Sequence, residues 1–102
     1  MKELILTGST EELIIFDGKV IIPAGPAVTV GAISCLELLI EKDARLEAGS
    51  LGVVGQVVCE EGGILLIDVA SMRCGSLICR GKFQTFEEVM IGWKVELREA
   101  KT

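Results

Sequence analysis

The side chains of this 102-residue chain that could do covalent or coordination chemistry are few: four cysteines, Cys35, Cys59, Cys74 and Cys79, and adjacent acids such as Glu60-Glu61 and Glu87-Glu88. Histidine and tyrosine are absent, which removes the commonest general base, the commonest metal ligand and the phenolic acid. Adjacent residues on a strand point to opposite faces, so neither acid pair makes a dyad and each reads as a solvated corner. Cys74 and Cys79 do not have the C-x-x-C spacing of a zinc ribbon. Ser50 and Ser76 follow glycine but have no partner base, and GSLGVVG is not the G-x-S-x-G of a nucleophile elbow. The same segment lacks the Lys and Ser/Thr of a phosphate loop. No reaction, metal or cofactor is implied, and the expectation is a protein that is not an enzyme. The cysteines read as small buried hydrophobes.

What must be positioned, then, is the backbone itself. A seven-residue box with glycine at both ends occurs three times, from Gly25 to Gly31, Gly49 to Gly55 and Gly75 to Gly81. The closing glycines are 24 and 26 residues apart, a period typical of solenoids and other arrays. Overlaying the last two units at a shift of 26 puts Gly49-Ser50-Leu51 over Gly75-Ser76-Leu77, and a shift of 24 puts Cys35 over Cys59. Equivalent residues are expected to stack in ladders on that register.

Half of the residues are hydrophobic but only 4% are aromatic, so the interior must be filled by aliphatic side chains in thin layers. A chain of this length is normally one domain. The net charge is −5 with no Lys/Arg cluster, which argues against nucleic-acid binding. Apolar stretches run to only about six residues, against the roughly 20 that span a bilayer, so no transmembrane segment is expected. The start, MKELILTGSTEE, lacks the apolar centre of a signal peptide, and a reducing cytoplasm is the expected location.

Along the chain, Leu13 to Phe16 and Lys19 to Ile22 flank Asp17-Gly18, which predicts a two-residue hairpin. Residues 1–24 are accordingly expected to form an N-terminal hairpin or cap, and 25–98 the repeat region. Residues 33–48 contain a capping-box pattern at Ser34 and Glu37, but counting by twos leaves Leu36, Leu38, Ile40, Ala44, Leu46 and Ala48 on one side. Period two predicts strands here with a turn at Lys42 and Asp43. Beyond Gly49 the same alternation gives a strand centre about every six residues, which fits a coil of three strands, about 18 residues, or of four, about 24. The fold expected is all-β: a single-stranded parallel β-helix of about four coils.

The run IEKDARLEAGSLGVVGQVVCEEGG, with its apolar pairs and glycine corners, resembles the core of the bactofilins, the bacterial polymer-forming cytoskeletal proteins. The resemblance covers roughly residues 27–97 and implies a right-handed β-helix whose units join end to end into filaments without a nucleotide, often close to a membrane. Peripheral membrane association is part of that implication. AGSLGVVGQV is also similar to a strand-turn pattern in the C-terminal β-helical domain of the MinC division inhibitor, which would imply a dimer that docks another protein. A small cupin-like β-barrel is a third architecture; the Asp17-Gly18 pair supports it, and the lack of histidine counts against a metal-binding cupin.

A solenoid leaves an open apolar cross-section and unpaired strand edges at each end. The residues expected to mediate self-association are therefore Leu4 and Leu6 at one end and Trp93, Val95 and Leu97 at the other, with the glycines Gly25, Gly31, Gly49, Gly55, Gly75 and Gly81 as structural corners.

Overall fold

The computed structural model describes residues 1–84, 89–91 and 95–98, with only the backbone described for Val69 and for the residues after Phe83. The described chain is all-β apart from one 3-10 turn, Val69–Ser71. Its strands are β1 (Lys2–Ile5), β2 (Thr10–Ile15), β3 (Gly18–Ile22), β4 (Val28–Cys35), β5 (Glu37–Ile40), β6 (Arg45–Cys59), β7 (Ile64–Leu66), β8 (Met72–Cys79), β9 (Lys82–Gln84), β10 (Val89–Ile91) and β11 (Val95–Arg98). They pair in parallel along the whole stack until β10 and β11. This is a β-solenoid of about four coils.

Each coil has three sides. On the first side β1, β3, β5, the end of β6 and the end of β8 stack in that order, so that Leu4, Val20, Leu38, Val57 and Leu77 form one column. The second side stacks Val28, Leu46, Leu65 and Phe83. The third stacks Ile14, Ile33, Leu51 and Met72. Successive residues of the first column are 16, 18, 19 and 20 apart, so the coil is the three-strand one. The 15-residue β6 bends around the axis and contributes to all three sides.

This register corrects the one expected from the glycine boxes. A step of 24 or 26 residues is one full turn plus one side, so each box lies on a different side: Gly25–Gly31 contains the second-side residues Val28 and Val30, Gly49–Gly55 the third-side residues Leu51 and Val53, and Gly75–Gly81 the first-side residues Leu77 and Cys79. Ser76 accordingly meets Gln56, not Ser50, and Leu77 meets Val57. Cys35 meets Val53, and it is Cys79 that lies over Cys59. The box is a corner, a side and a corner. What stacks is the closing glycine of one box on the opening glycine of the next. A Cβ on Gly49 would lie 2.6 Å from the Gly31 carbonyl oxygen, and one on Gly75 would lie 2.9 Å from that of Gly55. Adjacent strands sit about 4.8 Å apart, and at these corners the coil below occupies the volume a side chain would need.

The expected hairpin at Asp17-Gly18 is also corrected. Leu13–Ile15 pairs with β4, while β3 pairs with β1 and β5. Asp17-Gly18 is a corner between the third and first sides. The turn at Lys42 and Asp43 is present, with Asp43 in the left-handed region at φ 61°. One coil later the same corner carries Gly62 at φ 80°.

The alternation predicted over residues 33–48 holds from Leu38 onward, with Leu38, Ile40, Ala44, Leu46 and Ala48 buried and Lys42, Asp43 and Arg45 exposed. Leu36 is only half-buried at the corner between β4 and β5, and before it the buried residues are the odd-numbered Ile33 and Cys35. Inward residues of all three sides form one continuous core with no buried polar or charged side chain among the described residues. Each fully buried Val, Leu or Ile contributes roughly 1.5–3 kcal/mol. No single coil could gain this alone, because its inward side chains would face water above and below. Past β9 the chain reverses: β10 pairs antiparallel with β9 and β11 antiparallel with β8.

Candidate functional site

With catalytic residue types so scarce, the surfaces that could act are the two ends of the stack and the buried thiols. At the N-terminal end the first coil supplies β1 on the first side and β2 on the third, each paired only on the side facing the next coil. On the second side the first coil has no strand beyond Thr10. There the Ser9 hydroxyl accepts a hydrogen bond from the Thr29 N–H at 2.9 Å, so a backbone donor that lacks a ladder partner is satisfied locally. The open edges are thus those of β1 and β2.

The first coil also departs from the rest in its outward residues. Met1, Ile5, Leu13 and Ile15 are 75, 61, 57 and 75% exposed, four of the five large exposed hydrophobics among the described residues. Following Ile15 down its column, the residues in register are Ser34, Gly52 and Arg73, so the outward position turns polar or small once inside the stack. Inward, Leu4, Leu6, Ile14 and Phe16 are only half-buried against the core. An apolar end and an apolar rim therefore meet at one strand-edge surface, flanked by Lys2, Glu3, Glu11, Glu12 and Asp17.

Of the residues expected to mediate association, Leu4 and Leu6 lie in this end surface. Leu4 heads the first-side column, and the Leu6 N–H donates to the Ile21 carbonyl at 2.9 Å. At the other end, Val95 and Leu97 lie on β11 in register with Cys79 and Leu77. Trp93 lies outside the described residues. Sequence reasoning missed Ile5, Leu13 and Ile15. The signal was available in Leu4-Ile5-Leu6 and Leu13-Ile14-Ile15-Phe16, since an unbroken apolar run on a strand makes both faces apolar.

The cysteines are all free. Cys35, Cys59 and Cys79 are buried, and Cys74 is half-buried. Burial pushes the Cys35 thiol up to about 11, an effect opposed by a backbone hydrogen bond at Val20 and reinforced by the Glu37 charge; the thiol donates to the Glu37 carbonyl at 3.2 Å. Burial also raises Cys74. Cys59 and Cys79 are register neighbours, and their proximity makes Cys79 the easier of the two to ionise and Cys59 the harder; the Cys59 thiol donates to the Glu60 carbonyl at 3.9 Å. For Cys35 the folded value lies above the unfolded one of about 8.5. Its contribution to stability is therefore complete below that pH and lost as pH rises through about 11. Cys35→Val, which matches its neighbour Val53 in the column, is expected to flatten the fall in urea midpoint between pH 8.5 and 11 by the equivalent of about 2 kcal/mol. An unchanged slope in the variant would remove Cys35 as its cause.

The acid pair Glu60-Glu61 sits at a corner, where Glu60 accepts a 2.8 Å bond from Arg80 one coil on. This exposed ion pair contributes no more than about 1 kcal/mol. A shallow open groove beside it is lined by Leu39, Glu41, Lys42, Glu60 and Glu61. It gathers acids around one cation without a nucleophile or an aromatic wall. Glu87-Glu88 lies outside the described residues. Among those described, no helix is long and apolar enough to cross a membrane.

No family model matches the chain, and neither a curated protein nor a solved structure matches it. The class that the fold defines is the parallel β-solenoid, and its geometry is the basis for a functional reading.

Proposed function

We propose that this chain is a non-enzymatic structural protein that self-associates end to end, with the first coil as the principal contact, and that it builds a polymer of the bactofilin kind. The observation that carries this reading is the coincidence of Ile5, Leu13 and Ile15 with the free edges of β1 and β2. Apolar rim positions are costly in water and gain when a second copy covers them. The same copy supplies ladder partners to the unpaired backbone groups of β1 and β2. A filament needs a second contact, which places one at the β10 and β11 end.

A second reading, a closed dimer serving as a protein-docking module, is favoured by one feature: β10 and β11 run against the direction of the stack. An end finished in that way interrupts simple continuation of parallel coils. Light scattering coupled to size exclusion across a concentration series separates the two, because mass grows without limit for a polymer and stops at two chains for a dimer.

Placing a charge at the rim by Ile15→Asp is expected to lower the apparent association constant at least 10-fold while leaving the urea midpoint within about 0.5 kcal/mol of the parent, as for other exposed sites. The opposite charge is the control: Ile15→Lys should weaken association as well. Assembly unchanged by both substitutions would sink the first coil as the contact.

A further inference from the structure

We propose that Cys59 and Cys79 form a two-sulfur site for a soft monovalent ion of the copper(I) class, set between the ends of β6 and β8 in the last two coils of the stack. The two residues are register partners on adjacent parallel strands, and their exposures are 0 and 1%. The column they belong to reads Ile22, Ile40, Cys59, Cys79. Aliphatic side chains fill it in the earlier coils, and thiols replace them in two successive coils only here.

Both side chains face inward in the same column, and the backbone N–H of Gly81 favours the thiolate of each; the Cys59 thiol donates to the Glu60 carbonyl at 3.9 Å. The flanking N–H groups are used elsewhere: Arg80 donates to the Cys59 carbonyl and Lys82 to the Gly63 carbonyl. Gly63 closes the site, because a Cβ there would lie 3.1 Å from the Cys59 sulfur. The backbones of the two strands run about 4.8 Å apart, and a linear sulfur–metal–sulfur unit with bonds near the roughly 2.3 Å of a zinc–thiolate bond would bridge a gap of that order.

The donor set decides the ion. Among the described residues no group of three or more His, Cys, Asp or Glu is gathered, so the four ligands of structural zinc are not supplied. Cys35 and Cys74 belong to another column, joined through Val53. Two soft thiolates without hard oxygen donors select copper(I) over harder divalent ions. Binding releases both thiol protons to solvent and changes no oxidation state. The complex then carries one negative charge, which the Gly81 N–H stabilises by donating to sulfur.

The test is an anaerobic titration of the reduced, full-length protein with copper(I) against a competing chromophoric chelator. One equivalent is expected to be withheld from the chelator by the parent chain and by Cys35→Ser/Cys74→Ser, with a near-ultraviolet sulfur-to-copper band. Cys59→Val and Cys79→Val, each restoring an aliphatic side chain to the column, should bind at least 100-fold more weakly with parental circular dichroism. If a valine variant fails to fold, Cys79→Ala takes its place under the same criterion. Failure of the parent chain to withhold an equivalent overturns the proposal. So does full binding by a folded Cys59 or Cys79 variant, or copper X-ray absorption fitting fewer than two sulfurs.

Discussion

Gly49→Ala is expected to destabilise the fold by about 2–4 kcal/mol, while Gly52→Ala, three residues further along the same strand, stays within about 0.5 kcal/mol of the parent. Both glycines lie in β6, and neither has a positive φ, so conformational freedom does not separate them. Space does. A Cβ at Gly49 would stand 2.6 Å from the Gly31 carbonyl oxygen, whereas one at Gly52 meets nothing within 4 Å. The obstacle at Gly49 is backbone, which cannot swing aside as a side chain would. Two coils must separate locally, weakening the ladder between β4 and β6. Against a total stability of about 5–15 kcal/mol for a domain of this size, that is a large share. Urea denaturation of the two variants is the measurement, and equal midpoints would refute the stacked-corner account of the glycine boxes.

That account also explains why the register was harder to read than the fold. The period-two alternation from Leu38 to Ala48 and the turn at Lys42-Asp43 are local properties, written in side-chain polarity. They survive whichever coil lies below. Register is a relation between coils, and the most visible markers misled because the three boxes are one turn plus one side apart. A seven-residue unit that advances to the next side with each occurrence looks like a longer repeat than the turn it belongs to. Asp17-Gly18 misled for a related reason. A hairpin wants Asp-Gly for its positive φ, whereas this corner has no positive φ and needs Gly18 because a Cβ there would collide with the Lys2 carbonyl oxygen of the first coil. What the flanking strands pair with distinguishes the two, and Leu13–Ile15 pairs with β4.

The candidate contact surface was half legible. Open strand edges at the end of any solenoid are a consequence of its topology, and Leu4 and Leu6 followed from that. The outward positions did not, because under the hairpin reading Leu13 and Ile15 had a different neighbour. Once the first coil is placed, the polar column of Ser34, Gly52 and Arg73 beneath Ile15 makes the apolar end position conspicuous. A similar correction moved the thiol ladder from Cys35 and Cys59 to Cys59 and Cys79.

Phe83→Ala is expected to cost about 3–5 kcal/mol, the range for removing a fully buried ring, and to loosen the structure unevenly. Phe83 is 1% exposed and is the largest fully buried side chain among the described residues. It ends the parallel part of the second-side column over Leu65, Leu46 and Val28, and β10 continues from β9 with Met90 opposite it. A ring at this place fills the last coil, where only half a turn of parallel strand remains to shield the core. In a quasi-one-dimensional stack each coil is stabilised mainly by its neighbours, so the loss is expected to stay near its origin. Hydrogen exchange should accelerate most in β7, β8 and β9, and least in β3 and β5. Phe83→Leu keeps most of the volume and should cost only about 1–1.5 kcal/mol. Uniform acceleration along the whole chain would show that the coils unfold as one unit and would remove the basis for local opening at this end. Graded acceleration would make the last coil the part of the molecule that yields first, the coil that also holds Cys79 and supports β11.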